Sequence, residues 1–441
     1  MSSSCNKSSE RNTPRATLHP AGNLLSMAGL VTVLAGLLVA AWFGQTILVI
    51  LLGLFLAAAG VSWLWSHWSL AGVSCIREFS ETRLFPGEIT TLKLRLENRK
   101  ILPLPWIHLS QEIPEVFLAD MTLPPADKPG CRLMVKSASL LWYTAVNWQH
   151  TLSGERRGYF PLGPISVTSG DIFGFYPRSA VFSAKDNIIV YPRIYPMSLS
   201  WLPSRHPLGE TVAERRIFED PSRVIGVRDY TANDSLRHVH WKASARHQTL
   251  QVKVFEPTTT LNVAIFLAAD GFLPSPEEND SLPIPGPPEP LNEDDFELGI
   301  STAASLAHTL ISEHGSAAGL YTNACLADTS EPARITPAST AEQLMELLEA
   351  LAKVTASPAR CFEDFLQTEI VGMPWGTTFV FIVAALSPEL AAIIANLGHG
   401  GEKPVVLIIG EHQDSRAEYP ITCHSIRRPR DLGNIGAVEV T

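Results

Sequence analysis

Two uncharged runs decide how this chain folds: residues 24–43, LLSMAGLVTVLAGLLVAAWF, and residues 47–65, ILVILLGLFLAAAGVSWLW, separated by Gly44-Gln45-Thr46. Each is close to the ~20 residues a helix needs to cross a hydrocarbon layer ~30 Å thick. Neither carries the amphipathic period of a helix lying half-buried on a water-soluble core. A cleaved signal peptide would have a shorter apolar centre and would not lead straight into a second run. Trp42 and Phe43 close the first run, and Trp63, Trp65 and Trp68 cluster at the end of the second. Aromatic side chains are expected at those membrane–water boundaries. The sequence therefore predicts an N-terminal transmembrane helical hairpin over 23–66, with a lipid bilayer as its partner.

Basic residues flank the hairpin on both outer sides. Lys7, Arg11 and Arg15 lie in the tail 1–22, Arg77 and Arg83 follow the second run, and the connecting turn has none. Positive charge is retained on the cytoplasmic side. The expectation is a multi-pass protein of the plasma membrane whose soluble body is cytoplasmic.

Beyond the hairpin, Pro86-Gly87-Glu88 reads as a turn into ITTLKLRLENR, where Leu92, Leu94 and Leu96 alternate with Lys93, Arg95 and Glu97. A period of two with one apolar face predicts a half-buried strand. WIHLSQEI, CRLMVKSASLLWYTAV, GPISVTSG and NIIVYPRIYP continue in the same style, punctuated by Gly and Pro. No long helical period interrupts them, so the region 73–200 is expected to be an immunoglobulin-like β-sandwich.

The densest chemistry lies at 223–257, RVIGVRDYTANDSLRHVHWKASARHQTLQVKVFEP, within a segment taken as 210–257. Asn233-Asp234-Ser235 is a turn and helix-cap signal. A helix starting there would bring Arg237 and Trp241 together at i,i+4. His238 and His240 with Asp229 and Asp234 invite a metal reading, yet i,i+2 imidazoles diverge on a helix and no H-E-x-x-H spacing is present. Ser235 or Ser244 with His240 lacks a nucleophile elbow. The remaining readings are ion pairs of Arg228, Asp229, Asp234 and Arg237 locking a linker, or a docking surface for a partner.

This segment resembles the signature of the domain-of-unknown-function 58 family, L-R-x-Y-x-x-G-D-x-x-R-x-I-H-W-K-x-x-A-R. It matches at Arg228, Tyr230, Asp234, Arg237, His240, Trp241, Lys242, Ala245 and Arg246, with Asn233 in place of the usual Gly. Upstream, RRGYFPLGPISVTSGDIFGFYPR is similar to the family's R-G-x-Y-x-L-G-P…D-P-F-G-L-F element, with Ile172 where Pro is usual. With the hairpin and the first strand, the resemblance spans nearly the whole chain. It implies a C-terminal von Willebrand factor A-like (Rossmann-like) domain and a MoxR-type AAA+ ATPase as partner. The site residues implied for partner docking or interdomain contact are Arg228, Asp229, Tyr230, Asp234, Arg237, His240, Trp241, Lys242 and Arg246.

The C-terminal region 258–441 reads, without the resemblance, as an α/β domain. LNVAIFLAAD, AAGLYTNA, TTFVFIVAAL and PVVLIIG alternate with helical patterns from Asp295, in AEQLMELLEALAKV and in SPELAAIIANLG. Such alternation predicts a mainly parallel sheet with helices on both faces. The proline-rich acidic stretch 273–294 is expected as an extended insertion. Von Willebrand factor A-like domains bind Mg²⁺ through D-x-S-x-S, and Asp270 stands at the first position. Phe272 and Pro274 replace the serines, so Asp270 is a weak metal candidate and no metal is assigned.

Composition closes several classes. A length of 441 residues suggests two or three domains. The net charge of -10 argues against general nucleic-acid binding. The six cysteines form no C-x-x-C pair and read as reduced packing thiols. Neither nucleotide fingerprint, G-x-x-x-x-G-K-[ST] or G-x-G-x-x-G, occurs, so no cofactor is expected. A non-enzymatic membrane scaffold leads; a hydrolase built on His238, His240 and Asp229, and an extracytoplasmic adhesion module, stay open beside it.

Overall fold

The computed structural model describes residues 16–18, 27–118, 123–183, 186–199, 201–202, 219–231, 239–257, 261–272, 293–373, 377–398, 404–410 and 421–435. It divides into two compact units, Met1–Arg193 and Ile194–Thr441.

The first unit opens with β1 (Ala16–Leu18), α1 (Met27–Trp42) and α2 (Thr46–Ser69). Gly44 makes the reversal between the helices at φ +66°, a conformation that costs glycine nothing. Leu52 packs over Gly36 and Leu37 over Gly53, small residues letting the two backbones approach. By length and composition α2 is able to cross a membrane. The described part of α1 is 16 residues, ~24 Å at the helical rise, and falls short of a full crossing. Among the described residues the expected runs 24–43 and 47–65 are the helices Met27–Trp42 and Thr46–Ser69, with 24–26 outside them.

The extra turn of α2 is held from outside. Lys100 Nζ donates to the carbonyls of Trp68 (2.6 Å), Ala71 (2.7 Å) and Ser69, and Arg178 Nη1 donates to His67 O (2.7 Å). Cations satisfy the orphan carbonyls of a helix C-terminus, where the dipole favours them.

A β-rich body follows: β2 (Val73–Phe79), β3 (Arg83–Leu84), β4 (Ile89–Asn98), β5 (Leu104–Pro114), β6 (Cys131–Leu140), β7 (Ala145–Ser153), β8 (Gly158–Leu162), β9 (Ile165–Ser169), β10 (Arg178–Phe182) and β11 (Asp186–Val190). They form three sheets, ordered β1-β10-β9-β5-β6, β2-β4-β7 and β3-β11-β8. Leu92, Leu94 and Leu96 are fully buried with Leu104, Ile107 and Leu109, while Lys93 and Arg95 face water. The period-two reading of β4 is realised. Arg77, read from sequence as a flanking charge, is instead buried against Asp186 with Nε–Oδ2 at 2.7 Å. β1 precedes the hairpin in sequence yet pairs antiparallel with β10, Ala16 opposite Ala180 and Leu18 opposite Arg178.

The second unit contains β12 (Glu219–Asp229), α3 (Trp241–His247), β13 (Gln251–Pro257), β14 (Asn262–Leu267), α4 (Glu293–His308), β15 (Ala317–Leu326), β16 (Pro332–Ala338), α5 (Ala341–Lys353), β17 (Val354–Pro358), α6 (Phe362–Ile370), β18 (Thr377–Val383), α7 (Pro388–Gly398), β19 (Val405–Ile409) and β20 (Thr422–Ile426). Its main sheet runs β16-β15-β14-β18-β19-β20, with β17 paired to β15. β15, β14, β18, β19 and β20 are mutually parallel; β16 and β17 are antiparallel. All seven residues of β18 and all five of β19 are buried, as a sheet covered on both faces requires. On one face Phe266, Phe381 and Val406 pack with Phe362, Phe365, Leu390 and Ile394 of α6 and α7. The insertion expected at 273–294 lies outside the described residues up to 292, and α4 starts at Glu293.

Cys75, Cys131, Cys325 and Cys361 are free thiols. Burial pushes the Cys75 thiol up to about 12 against the opposing pull of Arg77, which makes it an inert packing residue.

Candidate functional site

Two places concentrate chemistry in the second unit. The first is the β12–β13 ribbon, which carries the segment singled out from sequence. Asp229 pairs with Gln251 and Arg228 with Val252, and two register shifts bulge the strand near Val224. Val239 bridges to Val252, and the His240 and Tyr230 amides donate to Gln251 O and Leu250 O, both at 2.8 Å. The segment thereby closes on itself.

The turn and cap signal Asn233-Asp234-Ser235 lies outside the described residues; among the described ones α3 begins at Trp241, with His240 as its N-cap. The His240 Nδ1 accepts from the Ala243 amide at 3.1 Å. An amide can only donate, so Nδ1 is the acceptor and is committed to capping. Ser244 Oγ donates to His240 O (3.0 Å) and accepts from the Gln251 amide (2.9 Å), so its hydroxyl meets backbone and not the imidazole. Asp229 Oδ1 accepts from Gln251 Nε2 at 2.5 Å. These polar groups build a rigid platform.

On that platform Trp241 is 71% exposed, with Lys242 and Arg246 exposed beside it on the same seven-residue helix. An indole left in water on a locked scaffold is the opposite of a packed linker residue. Arg228 lies exposed on β12, its Nη1 on Asp229 O at 3.2 Å, and Tyr230 is half-buried. Asp234, Ser235, Arg237 and His238 lie outside the described residues.

The second place is the rim where the parallel strands end. Asp270 follows β14, and ligand atoms of Asp270, Cys361 and Glu363 lie within 4.8 Å of one another. Open α/β sheets bind ligands at this edge. Here the donors are already spoken for. Asp270 Oδ2 accepts from the Phe362 amide at the start of α6 (2.7 Å), and Oδ1 accepts from Asn323 Nδ2. The buried Asn323 also donates to Arg360 O (2.9 Å) and accepts from the Ala269 amide (2.9 Å). Cys361 Sγ donates to Glu363 Oε2 (2.8 Å), and Ser387 Oγ to Glu363 Oε1 (3.0 Å). That bond to Glu363, helped by burial, holds the Cys361 thiol above its usual range, whereas a metal-bound thiol must lose its proton. Phe272, at the position of the first missing serine, is a core residue against Phe296, ring centroids 5.4 Å apart.

Sequence reasoning missed Asn323, Cys361, Glu363 and Ser387. A signal was there for Asn323, a carboxamide inside the mostly apolar strand AAGLYTNA.

Glu363 gives this rim a pH dependence. Burial opposes its ionisation, but the Cys361 and Ser387 hydrogen bonds and a backbone amide hold its carboxyl below the ordinary value of 4.5. A carboxyl lowered in the folded state stabilises above its unfolded value and loses that contribution as pH falls through its folded value. Glu363→Gln should therefore lower Tm at neutral pH, with the difference from wild type closing as pH falls below 4.5 and through the lowered folded-state value. A pH-independent difference would show that the carboxylate charge plays no part.

No protein-family model matches the chain. It is 25% identical over 246 residues to the uncharacterized protein YeaD of Bacillus subtilis, over 55% of this chain and 54% of that protein. The chain thus spans about half the length of the curated relative it matches. Among solved structures, a fragment of native alpha-2-macroglobulin from Escherichia coli aligns with a TM-score of 0.19 at 14% identity, over 27% of this chain and 24% of that chain. The sporulation control protein Spo0M of Bacillus subtilis aligns at 0.17 and 14%, over 27% and 49%. At such TM-scores the likenesses carry no argument.

Proposed function

We propose that this chain is a membrane-anchored, non-enzymatic adaptor that offers the Trp241 platform to a partner protein. The observation that carries the reading is the exposed indole of Trp241 beside His240, Ser244 and Gln251, which are hydrogen-bonded within the ribbon. Exposed aromatic and basic anchors supply most of the binding energy at protein interfaces.

The apolar runs 24–43 and 47–65, which contain α1 and most of α2, cross the plasma membrane as a multi-pass hairpin, with the body cytoplasmic. The β1–β10 pairing supports this, since it brings the chain before the hairpin to the domain after it. The basic flanks of the sequence support the orientation. The β-rich body is an immunoglobulin-like sandwich. The parallel order around β14, with Asp270 at its C-terminal end, supports a von Willebrand factor A-like domain in the second unit. The non-enzymatic reading is supported by His240, Ser244 and Asp229 being spent on structure. The resemblance to the domain-of-unknown-function 58 family supplies the partner, a MoxR-type AAA+ ATPase, in protein-complex assembly or cell-envelope biogenesis.

The test is co-purification from detergent-solubilised membranes with and without Mg-ATP, comparing wild type with Trp241→Ala. Loss of an indole anchor is expected to cost about 2 kcal/mol of binding, roughly thirtyfold in Kd, with folding unchanged. An AAA+ ATPase that binds wild type and Trp241→Ala equally would remove this surface from the proposal. If no ATPase co-purifies with wild type, the partner is wrong.

A further inference from the structure

The strand registers collect several loops at one end of the β-rich body. Val73 pairs with Asn98, Glu97 with Ala145, Leu104 with Leu140, Ile107 with Ser169 and Ser169 with Arg178. The connections 99–103, 141–144 and 170–177 therefore all turn at the end where α2 enters β2. The same connections grip the helix. Lys100 and Arg178 cap its last carbonyls, as described above, and Ser66 Oγ donates to Tyr176 O at 2.5 Å.

Every one of these connections also points large apolar side chains outward. Ile101, Leu141, Trp142, Tyr143, Ile172 and Phe173 are each more than half exposed. At the opposite end, the described connections expose Phe85, with Ile89 beginning the next strand. So concentrated an apolar surface is unusual on a soluble domain and marks a contact surface.

The backbone beneath the tips is fastened by buried polar groups. Asn98, fully buried, donates from Nδ2 to Leu102 O (3.0 Å) and Leu141 O (2.9 Å), joining two of the connections. Asp171, also buried, accepts from the Phe173 amide (3.0 Å) and the Tyr176 amide (2.8 Å), and its carbonyl accepts from Trp106 Nε1 (2.9 Å). Gly170 has no room for a side chain, since a Cβ would lie 2.8 Å from the Trp106 ring and 3.0 Å from Tyr176 O. Tyr143 is held at φ +53°, rare for an aromatic residue. Buried hydrogen bonds are thus used to keep apolar tips in the open.

We propose that these three loops are a seat on the bilayer surface. Ile101, Leu141 to Tyr143, and Ile172 with Phe173 enter the interfacial layer around α2 and hold the β-rich body upright on the membrane. The occupant is set by continuity, because the tips surround the end of the helix that is able to cross, and Trp63 and Trp68 are exposed on that end. Aromatic side chains partition to this interfacial layer. The D-I-F-G-F-Y stretch at 171–176 gains a role on this account: Asp171 ties the turn and Ile172 and Phe173 reach lipid. The inference rests on the membrane-anchor reading given above, and its test separates the two.

The purified full-length chain is reconstituted in phosphatidylcholine–phosphatidylglycerol vesicles with p-benzoylphenylalanine at one position at a time. Trp142, Phe173 and Ile101 test the seat, Ile89 samples the opposite end, and Leu51 reports on the middle of α2. After irradiation, a mass increase of one phospholipid is expected at Leu51 and at the three seat positions, and not at Ile89. Adducts at Leu51 without any at Trp142, Phe173 and Ile101 would overturn the seat and leave the anchor standing. Equal adducts at Ile89 and the seat would overturn it too, since the body would then lie on its side. If Leu51 also gives none, anchor and seat fall together.

Discussion

Asp186→Asn is expected to destabilise the β-rich unit by about 3 kcal/mol, the low end of the cost of stranding a buried charge. Arg77 has a fully buried side chain, with Nε 2.7 Å from Asp186 Oδ2 and Nη1 donating to Gly163 O at 3.0 Å. Asp186 opens β11 and Arg77 lies on β2, strands of two different sheets. The pair is therefore a tie between sheets, and removing the carboxylate leaves a guanidinium in the core. Asp186 is 36% exposed, which admits some water and keeps the cost from the top of the range. Thermal unfolding of the detergent-solubilised chain, with hydrogen exchange of β2 and β11 to localise the loss, measures it. Unchanged exchange in both strands would mean that solvent screens the pair and the tie is not structural.

Asp270→Ala should cost about 2–4 kcal/mol in the second unit, by leaving two buried donors without an acceptor. The Phe362 amide opens α6, where the helix dipole adds to its pull on a carboxylate. The Asn323 amide group, wholly buried within β15, would lose the oxygen that anchors it. Asp270→Asn should recover little, because a carboxamide turns an NH₂ toward one of the two donors. Cys361→Ser, which keeps a donor for Glu363, should by comparison be mild. Faster exchange across α6 and a lower Tm would mark Asp270 as a structural cap. If the substitution leaves Tm unmoved in chelator and abolishes a stabilisation by added Mg²⁺, Asp270 is a metal ligand and this account is wrong.

These two residues also mark the limits of reading the chain from its letters. Leu92, Leu94 and Leu96 announce their strand because alternation in β4 repeats the geometry of the pleat itself. The unbroken apolar runs of β14, β18 and β19 announce a sheet covered on both sides for the same local reason. Arg77 carries no such mark. A charge two residues before the end of a strand looks like any flanking charge until Asp186, 109 positions later, is brought beside it.

The end of α2 is similar. Its last turn, Ser66-His67-Trp68-Ser69, is polar, and the helix persists through it because Lys100 and Arg178 arrive from distant loops to take its carbonyls. The start of α3 carries no strong mark either: the residue before Trp241 is a histidine, and His240 caps the helix with Val239 bridged to Val252. Asp270 was legible as a carboxylate at the end of a strand. That its oxygens are engaged by Phe362 and Asn323 was not.

The sequence by itself determined the apolar hairpin, the β-rich body and the alternating α/β order of the second unit, because hydrophobic periodicity is a local property tied to backbone geometry. Tertiary structure alone decided which polar groups are spent on holding the fold and which apolar ones are left facing outward. Asn98, Asp186 and Asp270 are claimed by partners far along the chain, while Trp142, Phe173 and Trp241 are left exposed. Burial and hydrogen-bond satisfaction depend on what the rest of the chain brings to each residue, and no window of sequence contains that.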